Sequence, residues 1–375
     1  MSKRQNTTKR TSIHLREAAE RFGAPDPIGK ISPFGSGNVN DTFLVASGAN
    51  ENASFILQRI NAGVFNMPEG IMQNLRIFSA HVSKRLEAFR ALDRRWEMVR
   101  FLKTAEEKDF WIDPQGGFWR AMSLIEEAKS FDSIAGPAHA TEIGFALGLF
   151  HSLVKDLAPA ALKDTLEGFH IAPLYLRRYE AVRAALHVPA SADTAFCIAF
   201  IEKRKDFLTV LEDAKADGRL PLRVIHGDPK VSNVLIDTRT NLAVSIVDLD
   251  TVKPGLVHYD IGDALRSCCN PAGEDPFSLD EVRFEPELCR ALLGGYLGVV
   301  KDFLAPPERN LLYDSARLIS FELGLRFFTD FLEGNVYFTV TDSMQNLRRA
   351  LAQFRLCQSI ESRAKVVRKI LDEAK

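Results

Sequence analysis

Cysteine is scarce in this chain, and the five that occur, at 197, 268, 269, 289 and 357, show no C-x-x-C spacing. An odd set without that spacing argues against a disulfide framework or a zinc site and predicts reduced thiols in a core. Long apolar runs are missing as well. No stretch approaches the ~18 residues of a membrane span, and the N-terminus is polar where a secretory signal would be apolar. Residues 1–12 contain Arg, Lys, Ser and Thr but no acid. They read as a solvated, disordered tail, with a transit peptide as the alternative, and the expected location is the cytoplasm.

Neither sign of charge prevails. A net charge of -1 and the lack of a long basic block leave no electrostatic footprint for nucleic acid, and no membrane partner is expected. What remains is a chain of 375 residues, 46% hydrophobic and 26% charged, long enough for two lobes with a sizeable core.

The most informative stretch runs from Leu222 to Asp237. It reads as a short apolar strand, a polar loop with His226, Asp228, Lys230 and Asn233, and a second apolar strand. The Asp-x-x-x-x-Asn spacing of Asp228 and Asn233 matches the kinase loop in which the Asp accepts a hydroxyl proton and the Asn binds Mg²⁺. A further strand, 242–247, runs into Asp248-Leu-Asp250, where a kinase carries its metal-binding Asp. Asn233 and Asp248 are therefore the expected Mg²⁺ ligands, with Asp250 for a second ion or an outer contact. Lys230 is placed to reach the transferred phosphate.

Upstream, Ile31 to Val45 holds Gly35, Gly37 and Asn38 in a turn between apolar stretches. Missing Cβ atoms there let backbone N–H groups approach phosphate oxygens, although the same turn suits an ordinary hairpin. With the downstream loop present, a nucleotide cover is the expectation. The next strand, Phe55 to Ile60, lacks the Lys that pairs with phosphates in kinases and carries Gln58 in its place. Arg59 should point to the opposite face, because strand neighbours alternate. Phe118 to Ile125 is an apolar strand entering Glu126-Glu127, and it is either the strand that leads into an adenine-reading hinge near Met122 to Glu126, with Met122, Ser123 and Leu124 as the contact candidates, or an internal strand with no ligand.

Beyond residue 125 the pattern is helical. A helix capped by Thr141 carries His151 beside its apolar stripe, where a packing role is favoured over catalysis. Segments 174–187 and 193–215 separate hinge from loop. Asp260 and Asp263 open a helix, and N-capping is the favoured explanation, with Asp260 bracing the loop as the alternative. Arg326 lies in an apolar helix, 315–332, and needs a carboxylate such as Glu322 or Asp330, or ligand oxygens.

Together, His226-Gly-Asp-Pro-Lys-Val-Ser-Asn233 and Ile246-Val-Asp-Leu-Asp250 resemble the aminoglycoside phosphotransferase and choline kinase superfamily. Phe55 to Asn61, Gly116 to Arg120, Asp248 to Gly255, Tyr259 to Asp263 and Gly324 to Phe338 look like its N-acetylhexosamine 1-kinase branch. That branch also lacks the strand Lys. Gly227 departs from it, standing where a hydrogen-bonding side chain is usual.

The resemblance implies an α+β, protein-kinase-like bilobal fold, with a small antiparallel-sheet lobe over 13–125 and a mainly helical lobe over 126–375. It also implies ATP and Mg²⁺ as cofactors, a small-molecule sugar as partner, and phosphorylation of the anomeric hydroxyl to a sugar 1-phosphate. Asp228, Arg326 and Tyr337 would then contact the sugar, in a monomer or weak dimer. The alternatives are another small hydroxyl, such as that of choline, homoserine, a methylthio-sugar or an aminoglycoside, and a non-catalytic nucleotide-binding module.

Overall fold

The computed structural model describes residues 15–23, 28–35, 39–47, 54–88, 94–186, 190–300 and 303–373. The expected tail over 1–12 lies outside the described residues. Alternating apolar residues in the N-terminal third build a six-stranded antiparallel sheet. Its strands are β1 (Ile28–Pro33), β2 (Asp41–Ser47), β3 (Phe55–Ile60), β4 (Phe101–Leu102), β5 (Trp111–Ile112) and β6 (Phe118–Ser123). They lie in the order β1-β2-β3-β6-β4, with β5 also paired to β6.

The register aligns Phe43, Leu57 and Ala121 across β2, β3 and β6. Because side chains alternate along a strand, all three meet one core. There they pack with Ala18 and Ala19 of α1 (residues 15–21) and with Phe22 just beyond it. The other face of each strand carries Thr42, Gln58 and Arg120, also in register.

Two compact units result. One holds the described residues up to Ser79 together with Glu97–Glu126, and the other holds Ala80–Trp96 and the chain from Glu127 onward. A single cut after residue 125 therefore misplaces residues 80–96. The second half of α2 (Pro68–Ala88) and the segment after it are tied by ions into the second unit. His81 and Arg85 reach Asp156 at 3.2 and 3.5 Å, Arg95 reaches Asp237 at 2.9 Å, and Arg94 pairs with Glu142.

The second unit is mainly helical, with α3 (Pro137–Val154), α4 (Ala172–Ala185), α5 (Ala192–Arg204), α6 (Val210–Ala216), α7 (Val257–Cys268), α8 (Pro286–Val299), α9 (Pro306–Asn310), α10 (Leu312–Leu332), α11 (Gln345–Ser362) and α12 (Ala364–Glu373). Aromatic side chains knit its interior. Phe200 of α5, Phe321 of α10 and Phe354 of α11 lie with ring centroids 4.7 to 5.9 Å apart, distances at which aromatic pairs contribute beyond simple burial. Short strands β7 (Ala128–Lys129), β8 (Arg223–Ile225), β9 (Val234–Asp237), β10 (Ala243–Ile246) and β11 (Lys253–Gly255) form a three-stranded sheet, β10-β9-β7, and a β11-β8 ribbon. These small pieces exist to hold loops.

Several local expectations change. The helix expected over 193–215 is two helices, because the chain tightens into a 3₁₀ turn at Lys205–Phe207. α5 starts from Ser191, whose hydroxyl takes Thr194 N–H in a capping box. Thr141 caps nothing. α3 begins earlier, with Pro137 in its first turn after Gly136, and the Thr141 hydroxyl bonds back to Pro137 O. All five cysteines are buried and unbridged, as core thiols should be. Among the described residues no helix is long and apolar enough to cross a membrane.

Candidate active site

β8 ends at Ile225 and β9 begins at Val234, so the eight residues 226–233 are the turn between them. Three buried groups set its shape from outside. Asp260, on α7 and fully buried, accepts His226 N–H at 2.7 Å on one oxygen and Gly227 N–H at 2.8 Å on the other. This replaces the capping role. Helix α7 starts after Leu256 with no side-chain cap, and Asp263 pairs instead with Arg266 at 2.7 Å. His151 hydrogen bonds the same Asp260 carboxylate at 2.9 Å and Tyr296 OH at 2.9 Å, so it is a packed, bonded support. His170, between them in sequence, contacts Gly227 O through Nε2 at 2.8 Å and Glu322 through Nδ1 at 3.0 Å.

Gly227 has φ +89, and a Cβ there would stand 2.8 Å from both Cβ and the carbonyl oxygen of Thr251. Real Cβ atoms do not come so close, and the backbone angle itself disfavours a side chain. Glycine is therefore required by this loop, which accounts for the departure at that position.

The loop presents Asp228 with 27% of its side chain exposed. Lys230 Nζ donates to Asp228 Oδ2 at 2.8 Å, and Asn233 Nδ2 donates to Asp228 O at 2.7 Å and to Oδ2 at 3.0 Å. Burial raises the Asp228 pKa, but Lys230, and behind it Arg266, more than offset that and leave it below the ordinary carboxylate value. Asp228 is thus an ionised acceptor. His226, its neighbour, is neutral because burial pushes its pKa down. Its tautomer follows from its contacts: Nε2–H faces Val247 O at 3.0 Å, leaving Nδ1 to accept Asp228 N–H at 3.3 Å.

Because Asn233 spends its amide N–H₂ on Asp228, its Oδ1 is the atom left for a cation. Asp248 follows closely. Val247 N–H donates to Asn233 O at 2.8 Å where β9 and β10 pair, and the chain then turns at Asp248 through a left-handed conformation, φ 65. Asp248 is exposed and adds to the field that raises the Lys230 pKa. Asp250 is buried, at 2% exposure, in the 3₁₀ turn Leu249–Thr251, and so lies behind Asp248. Among the described residues no three His, Cys, Asp or Glu side chains gather as a metal nest. An amide oxygen and an exposed carboxylate are donors of the kind that suits Mg²⁺, a cation that would keep water and phosphate oxygens as its other ligands.

In the same unit lies a cavity of about 180 Å³ lined by Phe169, Tyr175, Arg178, Arg326, Asp330 and Tyr337 among others. Arg326 forms no ion pair there among the described residues. Its expected partners are engaged elsewhere: Glu322 holds His170, and Asp330 accepts the N–H groups of Val336, Tyr337 and Phe338 at 2.7 to 3.0 Å. Four rings surround the guanidinium, with Phe169 and Tyr175 at 5.1 Å, Phe338 at 5.4 Å and Tyr337 at 5.8 Å. Its charge is also coupled to that of Asp228. Sequence reasoning named Arg326 and Tyr337 but missed Phe169, Tyr175 and Phe338, which no periodicity links to them.

The first unit holds the other expected positions. Gly35 has φ +75 and open space where a Cβ would stand; Gly37 and Asn38 lie outside the described residues. Met122 pairs with Ile56 on one side and Phe101 on the other, and Ser123 N–H donates to Arg100 O at 2.8 Å. Of the three hinge residues only Leu124 keeps a backbone N–H without a backbone partner among the described residues. Arg59 points away from Gln58, with its guanidinium 5.9 Å from the Trp119 ring, so no register shift brings it to the phosphate side. Gln58 instead accepts two bonds from Arg120, from Nη2 at 2.7 Å and Nε at 3.1 Å.

An ionised Asp in a braced loop, with an Asn five residues on and an Asp just beyond the second strand that follows, is the equipment of a phosphotransferase. Residues 30–297 match the family model described as phosphotransferase enzyme family, and the chain belongs to that family. Solved structures agree on a protein-kinase-like fold, an antiparallel-sheet N-terminal part followed by a helical region. The chain is similar to a microcompartment-associated aminopropanol kinase at 15% identity and TM-score 0.64, over 95% of this chain and 98% of that one. An amicoumacin kinase in complex with AMP-PNP and Ca²⁺ matches at 14% identity and TM-score 0.59, over 97% and 96%. An aminoglycoside phosphotransferase from Alicyclobacillus acidocaldarius matches at 14% identity and TM-score 0.56, over 96% of each chain.

Proposed function

We propose that this protein is an ATP-dependent sugar kinase that phosphorylates the anomeric hydroxyl of an N-acetylhexosamine or related hexose. The single observation that carries the choice of acceptor is Arg326, a guanidinium ringed by Phe169, Tyr175, Tyr337 and Phe338 with no carboxylate partner among the described residues. A fixed positive charge in the pocket repels ammonium groups and offers N–H donors to hydroxyl and acyl oxygens. The aminopropanol kinase among the structural neighbours takes, by its name, an amine-bearing acceptor, whose ammonium group would meet the Arg326 charge; of the acids that line the cavity, Asp330 is engaged by backbone N–H groups and Glu333 by Arg178, and Glu167 lines it as well. The cavity, about 180 Å³, is smaller than the ~300–1,000 Å³ typical of drug-sized ligands, which favours one sugar ring over a multi-ring aminoglycoside.

In this reading the anomeric oxygen attacks the γ-phosphorus of ATP, the bond to the β-phosphate oxygen breaks, and ADP leaves. Asp228 orients the hydroxyl and takes its proton as the new bond forms. A low pKa suffices, because an anomeric hydroxyl is more acidic than an alkyl one. Lys230, held at 2.8 Å from Asp228, balances charge on the transferred group. Asn233 and Asp248 would hold Mg²⁺, with Asp250 behind them; the bound cation supplies charge neutralisation at the phosphates. Gly35, Gly37 and Asn38 would cover the phosphates, and the hinge at Met122 to Leu124 would read adenine, with Leu124 N–H as its donor.

The test is a panel of free sugars and amino alcohols with coupled ADP detection. N-acetylglucosamine or N-acetylgalactosamine should give Mg²⁺-dependent ADP release and an acid-labile 1-phosphate. Turnover of choline, homoserine or an aminoglycoside with no hexosamine active would reject the sugar reading.

A further inference from the structure

The first unit has no lysine where β3 would bring one to a phosphate, yet a cation stands beside that place. Thr42, Gln58 and Arg120 form one row across β2, β3 and β6, in register and on the sheet face opposite the α1 core. Arg120 is 2% exposed, and its guanidinium lies 5.6 Å from the Phe101 ring. It donates to Gln58 Oε1 at 2.7 and 3.1 Å. Gln58 Nε2 donates in turn to Thr42 Oγ1 at 3.0 Å.

Two donors on one oxygen settle which end of the Gln58 amide is which. The oxygen faces the guanidinium and the N–H₂ group faces away. One of its hydrogens goes to Thr42, and the second has no partner among the described residues. A charged donor on Oε1 also polarises the amide and strengthens its remaining N–H as a donor. The row sits at the turn end of the sheet. Phe34 N–H, next to Gly35, bonds Thr42 O at 2.9 Å, whereas Ser123, in the proposed hinge, pairs with Phe55. Three strand residues, about 10 Å, separate the hinge pair from the Gln58–Arg120 pair, as base and phosphates of one nucleotide would be separated.

We propose that Gln58 is a phosphate-binding donor for ATP and that Arg120 is the positioning residue behind it, the pair replacing the single strand lysine of kinases. The proposal rests on the ATP-dependent reading above, but its test does not depend on the acceptor.

Binding of Mg²⁺-ATP and of adenosine to the full-length protein is measured by calorimetry, with melting temperatures as a fold control. Arg120→Gln and Gln58→Leu should each weaken ATP by about 10- to 100-fold and leave adenosine within about twofold. Arg120→Lys should keep part of the affinity. The double variant Gln58→Lys with Arg120→Gln, which moves the charge onto β3, should restore most of it. If ATP and adenosine weaken together, or neither changes, the proposal is overturned. Gln58 is only half-buried, so Gln58→Leu keeps the test decisive should Arg120→Gln fail to fold. Failure of the wild-type protein to bind ATP would instead bring down the kinase reading, and this proposal with it.

Discussion

Asp260 holds the backbone of His226 on one carboxylate oxygen, with N···Oδ2 at 2.7 Å and both residues inaccessible to solvent. The other oxygen takes Gly227 N–H, and His151 closes the group from behind. Asp260→Asn would leave an amide N–H₂ facing a backbone N–H. Removing one partner from so buried an ionic cluster costs about 3–5 kcal/mol. Urea denaturation should register a loss of that size. In whatever fraction folds, kcat should fall with little change in the acceptor KM, because the damage is to the position of Asp228.

The charge state of Asp228 makes a pH prediction. Its pKa lies below the ordinary carboxylate value because Lys230 outweighs the effect of burial, so the base is ionised throughout the neutral range. The acid limb of kcat/KM should be absent down to about pH 4, provided the fold persists. Asp228→Asn should lower kcat by about 10²–10⁴-fold. A steady-state profile with an acid limb near neutrality would contradict the assignment.

His170 gives stability its own pH dependence. Burial pulls its pKa down, but the charge and hydrogen bond of Glu322, with Gly227 O, raise it overall. The folded protein therefore favours the protonated form. That contribution is complete below the unfolded value of about 6.5 and is lost as pH rises through the higher folded pKa. Unfolding free energies measured across roughly pH 6 to 9 should decline, and His170→Gln should flatten the decline.

Arg326→Leu should raise the acceptor KM, with kcat/KM falling by about 10- to 100-fold and the ATP KM unchanged. Loss of an isolated guanidinium from an aromatic cage leaves no carboxylate unpaired, so stability should change little. Equal loss in both substrates would point to a structural role and remove Arg326 from the acceptor pocket.

What could be read in advance followed sequence proximity. Asp228, Lys230 and Asn233 share one turn, Asp248 lies just beyond β10, and strand alternation alone puts Arg59 on the face opposite Gln58. For Asp260 an acid near a helix start favours a cap over bracing the loop, and only the fold decides for the second reading, with both oxygens spent on residues 34 and 33 positions away. Arg120 was invisible for a similar reason. An Arg in an apolar strand gives no sign of its partner until β3 and β6 are paired. The cage around Arg326 draws on residues near 170 and near 337, segments that no local pattern connects.

The rim of that cage has a particular mechanical character. Three successive N–H groups, of Val336, Tyr337 and Phe338, hang from the single carboxylate of Asp330, which Asn346 grips from the other side at 2.8 Å. A segment suspended from one peg moves as a piece. In the proposed reading an acceptor would meet a rim already set in place and give up little entropy in arranging it. A change of acceptor preference in this scaffold would come more readily from resetting Asp330 than from exchanging any one ring.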